Sequence, residues 1–180
     1  MRLDPKHFNI FIGTLGVFAI ILIGYFTVTY YAGQQAEFKE KVGEGEEIRT
    51  IVFEDLETGE EFSIDEYQNR PVVLDFWAPW SGRSMQAHEQ LSELRQSHPD
   101  LVILSVLVKD DENSFREYQG EHNYDFRFAQ GTEVYEDFLV PGVPSYVIFG
   151  RDGIVFDVIV GYRSPEVFDN LVDYLESAEQ

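Results

Sequence analysis

The 180-residue chain contains no cysteine. It therefore forms no disulfide and offers no thiolate as a nucleophile or metal ligand. Basic residues are also scarce, because 13 lysines and arginines stand against 33 aspartates and glutamates, for a formal net charge of −20. A surface this acidic repels phosphate backbones, which argues against nucleic acid as a partner. The excess of carboxylates indicates a well-solvated surface.

The sequence also has no recognisable metal or cofactor motif. His7, His98 and His122 share no metal-ligand spacing, and the acidic run from Asp110 to Glu112 lacks the twelve-residue pattern of a calcium loop. No glycine-rich phosphate loop is present. We therefore predict neither a metal nor a cofactor, and interpret the acidic run as the solvated start of a helix.

Residues 8–32 form an uncharged, strongly apolar segment. A helix needs about 20 such residues to cross a bilayer, and Tyr25, Tyr30 and Tyr31 stand where an interfacial aromatic belt is expected. A cleaved signal peptide is the alternative, but the segment exceeds an h-region of about 7–15 residues. We predict a transmembrane signal-anchor with the lipid bilayer as its partner.

The flanking segments complete the predicted organisation. It consists of an N-terminal tail at 1–7, the helix at 8–32, a polar juxtamembrane linker at 33–47 and one domain at 48–180. Positive charges on the two sides of the helix nearly balance, so the charge rule does not fix orientation. We expect a single-pass protein of the cytoplasmic membrane with its C-terminal domain extracytoplasmic.

The domain alternates short apolar runs with helical patterns, which predicts an α/β fold with a central mixed sheet flanked by helices. Ser164 and Pro165 indicate the start of the last helix. The predicted strands are 48–53, 61–64, 72–77, 101–108, 145–149 and 154–160, and the other predicted helices are 84–97, 112–120 and 133–139.

Residues 77–84 read Trp-Ala-Pro-Trp-Ser-Gly-Arg-Ser, and residues 142–145 read Gly-Val-Pro-Ser. The first segment resembles the active-site loop of thioredoxin-like proteins, Trp-Ala-x-Trp-Cys-x-x-Cys, with serine at both cysteine positions. The second resembles the loop whose proline is cis. Together with the N-terminal anchor, these motifs are most similar to the TlpA/ResA-like branch of membrane-anchored thiol–disulfide oxidoreductases. The resemblance covers about residues 48–176 and implies a thioredoxin-like fold.

The two serines remove the family's chemistry. Disulfide exchange needs a thiolate, and a hydroxyl is far less acidic. We therefore predict that Ser81 caps a helix and that Ser84 fills the space of a buried cysteine. Hydrolysis by Ser84 with His88 is the weaker alternative, since neither an orienting acid nor an oxyanion hole is evident, and His88 is expected to be partly buried.

The resemblance also implies roles for a buried carboxylate and for a peptide-binding groove. Asp75 matches the buried aspartate that assists proton transfer in the family. Here it is interpreted as a relic proton acceptor or as inherited core, bonded to Ser84 or water. The family's peptide-binding groove maps onto Trp77, Trp80, Ser81, Gly82, Arg83, Val143 and Pro144.

Within this groove, one tryptophan is expected to pack and the other to present an apolar face. Arg83 is interpreted as a partner for a substrate carboxylate or as a solvated residue at a helix start.

These observations predict a membrane-tethered, redox-inactive thioredoxin-like domain. It would bind an extended polypeptide or an envelope protein without covalent chemistry. Three alternatives remain open. They are a double Cys→Ser version of a working oxidoreductase, a domain that supports a redox partner in trans, and an inert spacer.

Overall fold

The long apolar segment forms a single helix. The computed structural model describes residues 5–177, with the side chains of residues 8–173. Helix α1 runs from Pro5 to Val42, and from Phe8 onward it is long and apolar enough to cross a bilayer. Residues 1–4 of the predicted tail and 178–180 of the predicted domain lie outside the described residues.

The polar segment after the membrane span differs from the predicted linker, because α1 continues through it to Val42. No proline or glycine interrupts residues 34–42, and Phe38 and Val42 lie one turn apart, so the helix presents an apolar edge. Phe38 is fully buried, with its ring 6.4 Å from that of Phe76. The end of the anchor helix is therefore part of the core.

A sharp turn follows α1. Gly45 has a φ of 85°, and a Cβ at this position would lie 2.7 Å from the ring of Phe149. Only glycine combines this backbone angle with such close packing. The predicted strand at 48–53 is wrong over most of its length. Residues 48 and 49 belong to α2 (Glu46–Arg49), which buries Ile48, and a strand begins only at Phe53.

The remaining elements follow the predicted order. The short strands β1 (Phe53–Glu54) and β2 (Glu61–Phe62) pair with each other and precede a 3-10 helix at Ile64–Tyr67. The other elements are β3 (Val72–Trp77), α3 (Gly82–Ser97), β4 (Val102–Leu107), α4 (Glu112–Glu121), β5 (Arg127–Gln130), α5 (Thr132–Asp137), β6 (Ser145–Phe149), β7 (Val155–Val160) and α6 (Pro165–Ser177).

Five strands form the central sheet in the order β5-β4-β3-β6-β7. Strands β3, β4 and β5 are parallel, whereas β6 and β7 are antiparallel to their neighbours. The predicted mixed sheet with helices on both faces is confirmed. Strand β5 was not predicted, because only Phe128 and Ala129 are buried in it and the polar residues Arg127 and Gln130 flank them.

Strand β3 positions the site. It is buried on both faces, and its side chains alternate between them. Leu74 and Phe76 face the core shared with α1 and α5, while Val73 faces the core shared with α3 and α6. Asp75 and Trp77 share the face of Val73, so both lie beneath α3.

Candidate functional site

The loop after β3 leads directly into α3, as predicted. Ser81 has an extended backbone, and its Oγ accepts a hydrogen bond from the amide of Ser84 at 3.3 Å. The predicted helix cap is confirmed, and it fixes the start of α3. Ser84 is fully buried, and its Oγ accepts from the amide of Ala78 at 3.5 Å. Each serine thus serves the backbone of the loop.

Beneath this loop lies a buried polar cluster that we name the Asp75 network: Asp75, His88, Ser105 and Tyr118. His88 Nε2 lies 2.9 Å from Asp75 Oδ2 and 2.8 Å from Ser105 Oγ, and Ser105 Oγ donates to Asp75 Oδ2 at 3.1 Å. His88 Nδ1 lies 2.5 Å from Tyr118 Oη. Tyr118 is 4% exposed, and the other three are fully buried.

We assign the roles in these hydrogen bonds for a neutral His88 ring beside an Asp75 carboxylate. A carboxylate only accepts, so in this assignment the proton between Asp75 and His88 belongs to Nε2. Nδ1 is then an acceptor, and the Tyr118 hydroxyl donates to it. Burial raises the pKa of Tyr118, and the nearby Tyr124 and the Asp75 carboxylate act in the same direction. Tyr118 therefore retains the proton that it donates.

The network corrects two predictions. His88 is fully buried rather than partly buried, and Asp75 bonds to His88 and Ser105 rather than to Ser84. Within the described residues, no hydrogen bond joins Ser84 to His88.

The network also differs from a hydrolytic triad. In a triad the acid and the serine engage opposite nitrogens of the histidine. Here Asp75 and Ser105 both lie against Nε2 of His88. Ser105 is fully buried and has no access to a substrate. The arrangement fixes a helix to a sheet instead of activating a nucleophile.

Three buried polar atoms beside the network have no hydrogen-bond partner in the described part of the chain: Asp75 Oδ1, Trp77 Nε1 and Tyr146 Oη. Tyr146 lies opposite Asp75 in the β3–β6 register. Burial, followed by the Asp75 carboxylate, raises the pKa of Tyr146. Both effects keep this phenol neutral next to the buried carboxylate.

The two tryptophans of the loop have opposite environments, as predicted. Trp77 is fully buried, with its ring 4.5 Å from that of His88 and 4.6 Å from that of Tyr118. It therefore supports the site from below and does not line a groove, which corrects its assignment to the binding surface. Trp80 is 63% exposed.

The other predicted groove residues divide in the same way. Gly82 and Arg83 are exposed, Ser81 and Val143 are partly exposed, and Pro144 is buried. The predicted cis peptide bond between Val143 and Pro144 is confirmed. The Arg83 guanidinium donates to Gln86 Oε1 at 3.2 Å and lies 5.2 Å from the ring centre of Tyr162, at the start of α3.

Sequence reasoning missed Ser105 as a site residue. Its signal was a single hydroxyl in the apolar run 101–108. The β3–β4 register pairs Ser105 with Asp75, and this pairing brings the two side chains together. The bond between Tyr118 and His88 was not predicted either, because it depends on how α3 and α4 pack.

The architecture agrees with the comparisons. Residues 69–155 match a family model described as Thioredoxin-like. The chain is 25% identical to the thiol-disulfide oxidoreductase ResA of Bacillus cereus over 83% of this chain and 88% of the relative. It is also 25% identical to the thioredoxin-like protein YneN of Bacillus subtilis, over 88% and 95%. The solved structure of dsbF from MTB superposes with a TM-score of 0.64 at 25% identity, covering 71% of this chain and 96% of that one.

The chain therefore has a thioredoxin-like fold, and residues 69–155 form the part that matches the thioredoxin-like family model. Its resemblance to the TlpA/ResA-like branch of thiol–disulfide oxidoreductases is confirmed. It differs from the active-site motif of that family in having serine at both cysteine positions, Ser81 and Ser84.

Proposed function

We propose that this protein is a membrane-tethered docking module that binds extended polypeptide without thiol chemistry. The observation that carries the proposal is the exposed ring of Trp80 on a loop whose two serines act as a helix cap and a buried spacer. The loop keeps its position between β3 and α3, yet the chain has no thiol for disulfide exchange. An aromatic anchor on a rigid loop suits non-covalent recognition.

The chemical half of this proposal is tested by insulin reduction. The full chain in detergent micelles, supplied with dithiothreitol, is expected to give no turnover above the blank. A Ser81→Cys/Ser84→Cys variant serves as the matched control, because it restores the family motif. Thiol-dependent turnover by the unmodified chain would refute the proposal.

The binding half is tested by crosslinking. A photo-reactive amino acid at Ser81 is expected to capture polypeptide clients from native membranes, and Trp80→Ala should abolish the capture. Gln96→Ala, an exposed change on α3 away from the loop, is the control. Capture that persists in Trp80→Ala contradicts docking at this loop.

A second candidate function is support of a redox partner in trans, which is favoured by the similarity to ResA. In that case the crosslinked proteins would be predominantly thiol-containing oxidoreductases. Clients without redox-active cysteines support the docking module instead.

For localisation, we propose a single span with the C-terminal domain outside the cytoplasm, supported by the apolar part of α1 and by the exported nature of the related branch. The absence of cysteine makes a clean test possible. A single cysteine at Gln96 should react with a membrane-impermeant maleimide in intact cells, whereas one at Asp4 in the N-terminal tail should react only after lysis. The reverse pattern would contradict this topology.

A further inference from the structure

A pocket of about 330 Å³ lies beside the exposed ring of Trp80. Pro79 and Trp80 form one side, and α4 forms the other. Ser114, Glu117 and Glu121 line it from α4 at positions i, i+3 and i+7, so they form one stripe along the helix. The concave surface thus combines a large aromatic ring with a polar helix face.

The polar side of this pocket is negatively charged. Asp110, Glu117 and Glu121 all line it, and none of them takes part in an ion pair within the described part of the chain. The cations nearest in sequence are engaged elsewhere. Arg116 pairs with Glu112 at 2.6 Å, and the Lys109 ammonium lies 4.8 Å from the ring centre of Tyr135. Uncompensated carboxylates beside an aromatic face favour a cationic ligand.

Two observations further restrict the kind of ligand that this pocket can bind. The described residues contain no group of three or more side chains arranged to hold a metal ion, so the carboxylates do not form a metal cage. The volume suits a single long side chain rather than a folded partner. The wall is also held in place, because Tyr118, which lines the pocket, donates to the fully buried His88.

We infer that this pocket receives a lysine or arginine side chain of the docked polypeptide. The inference rests on the proposed docking function and specifies its client as an extended segment with a basic residue beside the aromatic anchor. The alkyl part of that side chain would pack on Trp80 and its charged end would face Glu117 and Glu121. An acidic client is disfavoured by the same charges.

In the test, the full chain is immobilised in detergent micelles. It is then exposed to a library of random, cysteine-free octapeptides. Bound peptides are expected to be enriched in lysine and arginine. A lysine-containing peptide from this set is then compared with its norleucine counterpart, which keeps the alkyl chain and removes the charge. The lysine form should bind about fivefold more tightly, the upper range for an exposed ion pair.

A matched pair of variants separates the pocket from the overall charge of the protein. Glu117→Gln/Glu121→Gln should erase the preference for lysine over norleucine. Glu46→Gln/Glu47→Gln makes the same change in net charge on exposed residues of α2 and should leave the preference intact.

Two results would overturn the inference in distinguishable ways. Equal binding of the lysine and norleucine peptides that is still lost in Trp80→Ala removes the basic specificity and leaves the docking function standing. Absence of any Trp80-dependent peptide binding removes both.

Discussion

Removing one hydroxyl group from Tyr118 tests the Asp75 network directly. Tyr118→Phe keeps the ring that packs 4.6 Å from Trp77, but leaves Nδ1 of the fully buried His88 without its donor. An unsatisfied buried polar atom costs about 1–3 kcal/mol. We expect a loss of about 2 kcal/mol in the free energy of unfolding. For a chain of this length, that corresponds to a fall in Tm of about 4–8 °C.

The assay is thermal and urea unfolding of the full chain in detergent micelles, followed by tryptophan fluorescence. Trp77 lies inside the network, so its emission reports on this region. Tyr146→Phe is the matched control, because Tyr146 is fully buried and its hydroxyl has no hydrogen-bond partner in the described part of the chain. Removing a hydroxyl that makes no hydrogen bond should lower the free energy of unfolding by at most about 0.5 kcal/mol.

The dependence on pH provides a second readout. Burial raises the pKa of Tyr118 above the ordinary tyrosine value of about 10. A group whose pKa is raised on folding stabilises the protein below its unfolded pKa, and this contribution is lost as the pH rises through the folded pKa. The stability difference between the unmodified chain and Tyr118→Phe should therefore shrink above about pH 10. A Tyr118→Phe variant as stable as the unmodified chain at pH 7 would refute the hydrogen-bond assignment.

The remaining predictions concern the loop, a partly buried ion pair and the end of helix α1. A Ser81→Cys thiol should react with maleimide at least about tenfold faster than a Ser84→Cys thiol, because position 84 is fully buried; equal rates would contradict the burial. Burial opposes a low pKa at Asp55, but Arg127 (2.8 Å) and two backbone amides outweigh it, so the folded pKa is lowered. Asp55 should thus stabilise the fold above about pH 4 and lose this effect as the pH falls, and urea unfolding of Asp55→Asn should show a smaller decline towards acid pH than the unmodified chain. Phe38→Ala should cost about 3–5 kcal/mol in urea unfolding, since it empties a fully buried site; a loss below about 1 kcal/mol would contradict the docking of α1.

The fold could be predicted where the pattern of apolar residues within one segment is enough to identify a helix or strand. Strand β3 matches its predicted bounds because six consecutive residues are buried on both faces. The cap at Ser81 was predicted from the resemblance of its loop to the thioredoxin-like active-site loop, because the apolar pattern alone places the helix start at Ser84. Strand β5 could not be recognised, since only Phe128 and Ala129 are buried in it and polar residues flank them.

The site was less predictable because it is assembled from distant parts of the chain. Asp75, His88 and Ser105 lie on three different elements, and their contact depends on the strand register and on the packing of α3. Similarly, the pattern did not show which tryptophan is buried, because the face occupied by Trp77 is decided by β3 as a whole. The burial of Phe38 could not be predicted from the polar composition of residues 33–47, because Phe38 packs against core residues that come much later in the sequence.

The direct passage of α1 into the core has a mechanical consequence. From the end of the apolar segment at Ala32 to Val42, ten residues of helix rise about 15 Å. In a bilayer, this helical stretch would act as a rigid spacer and not as a flexible tether. It sets the height of the domain above the lipid surface and couples any rotation of the span to the domain.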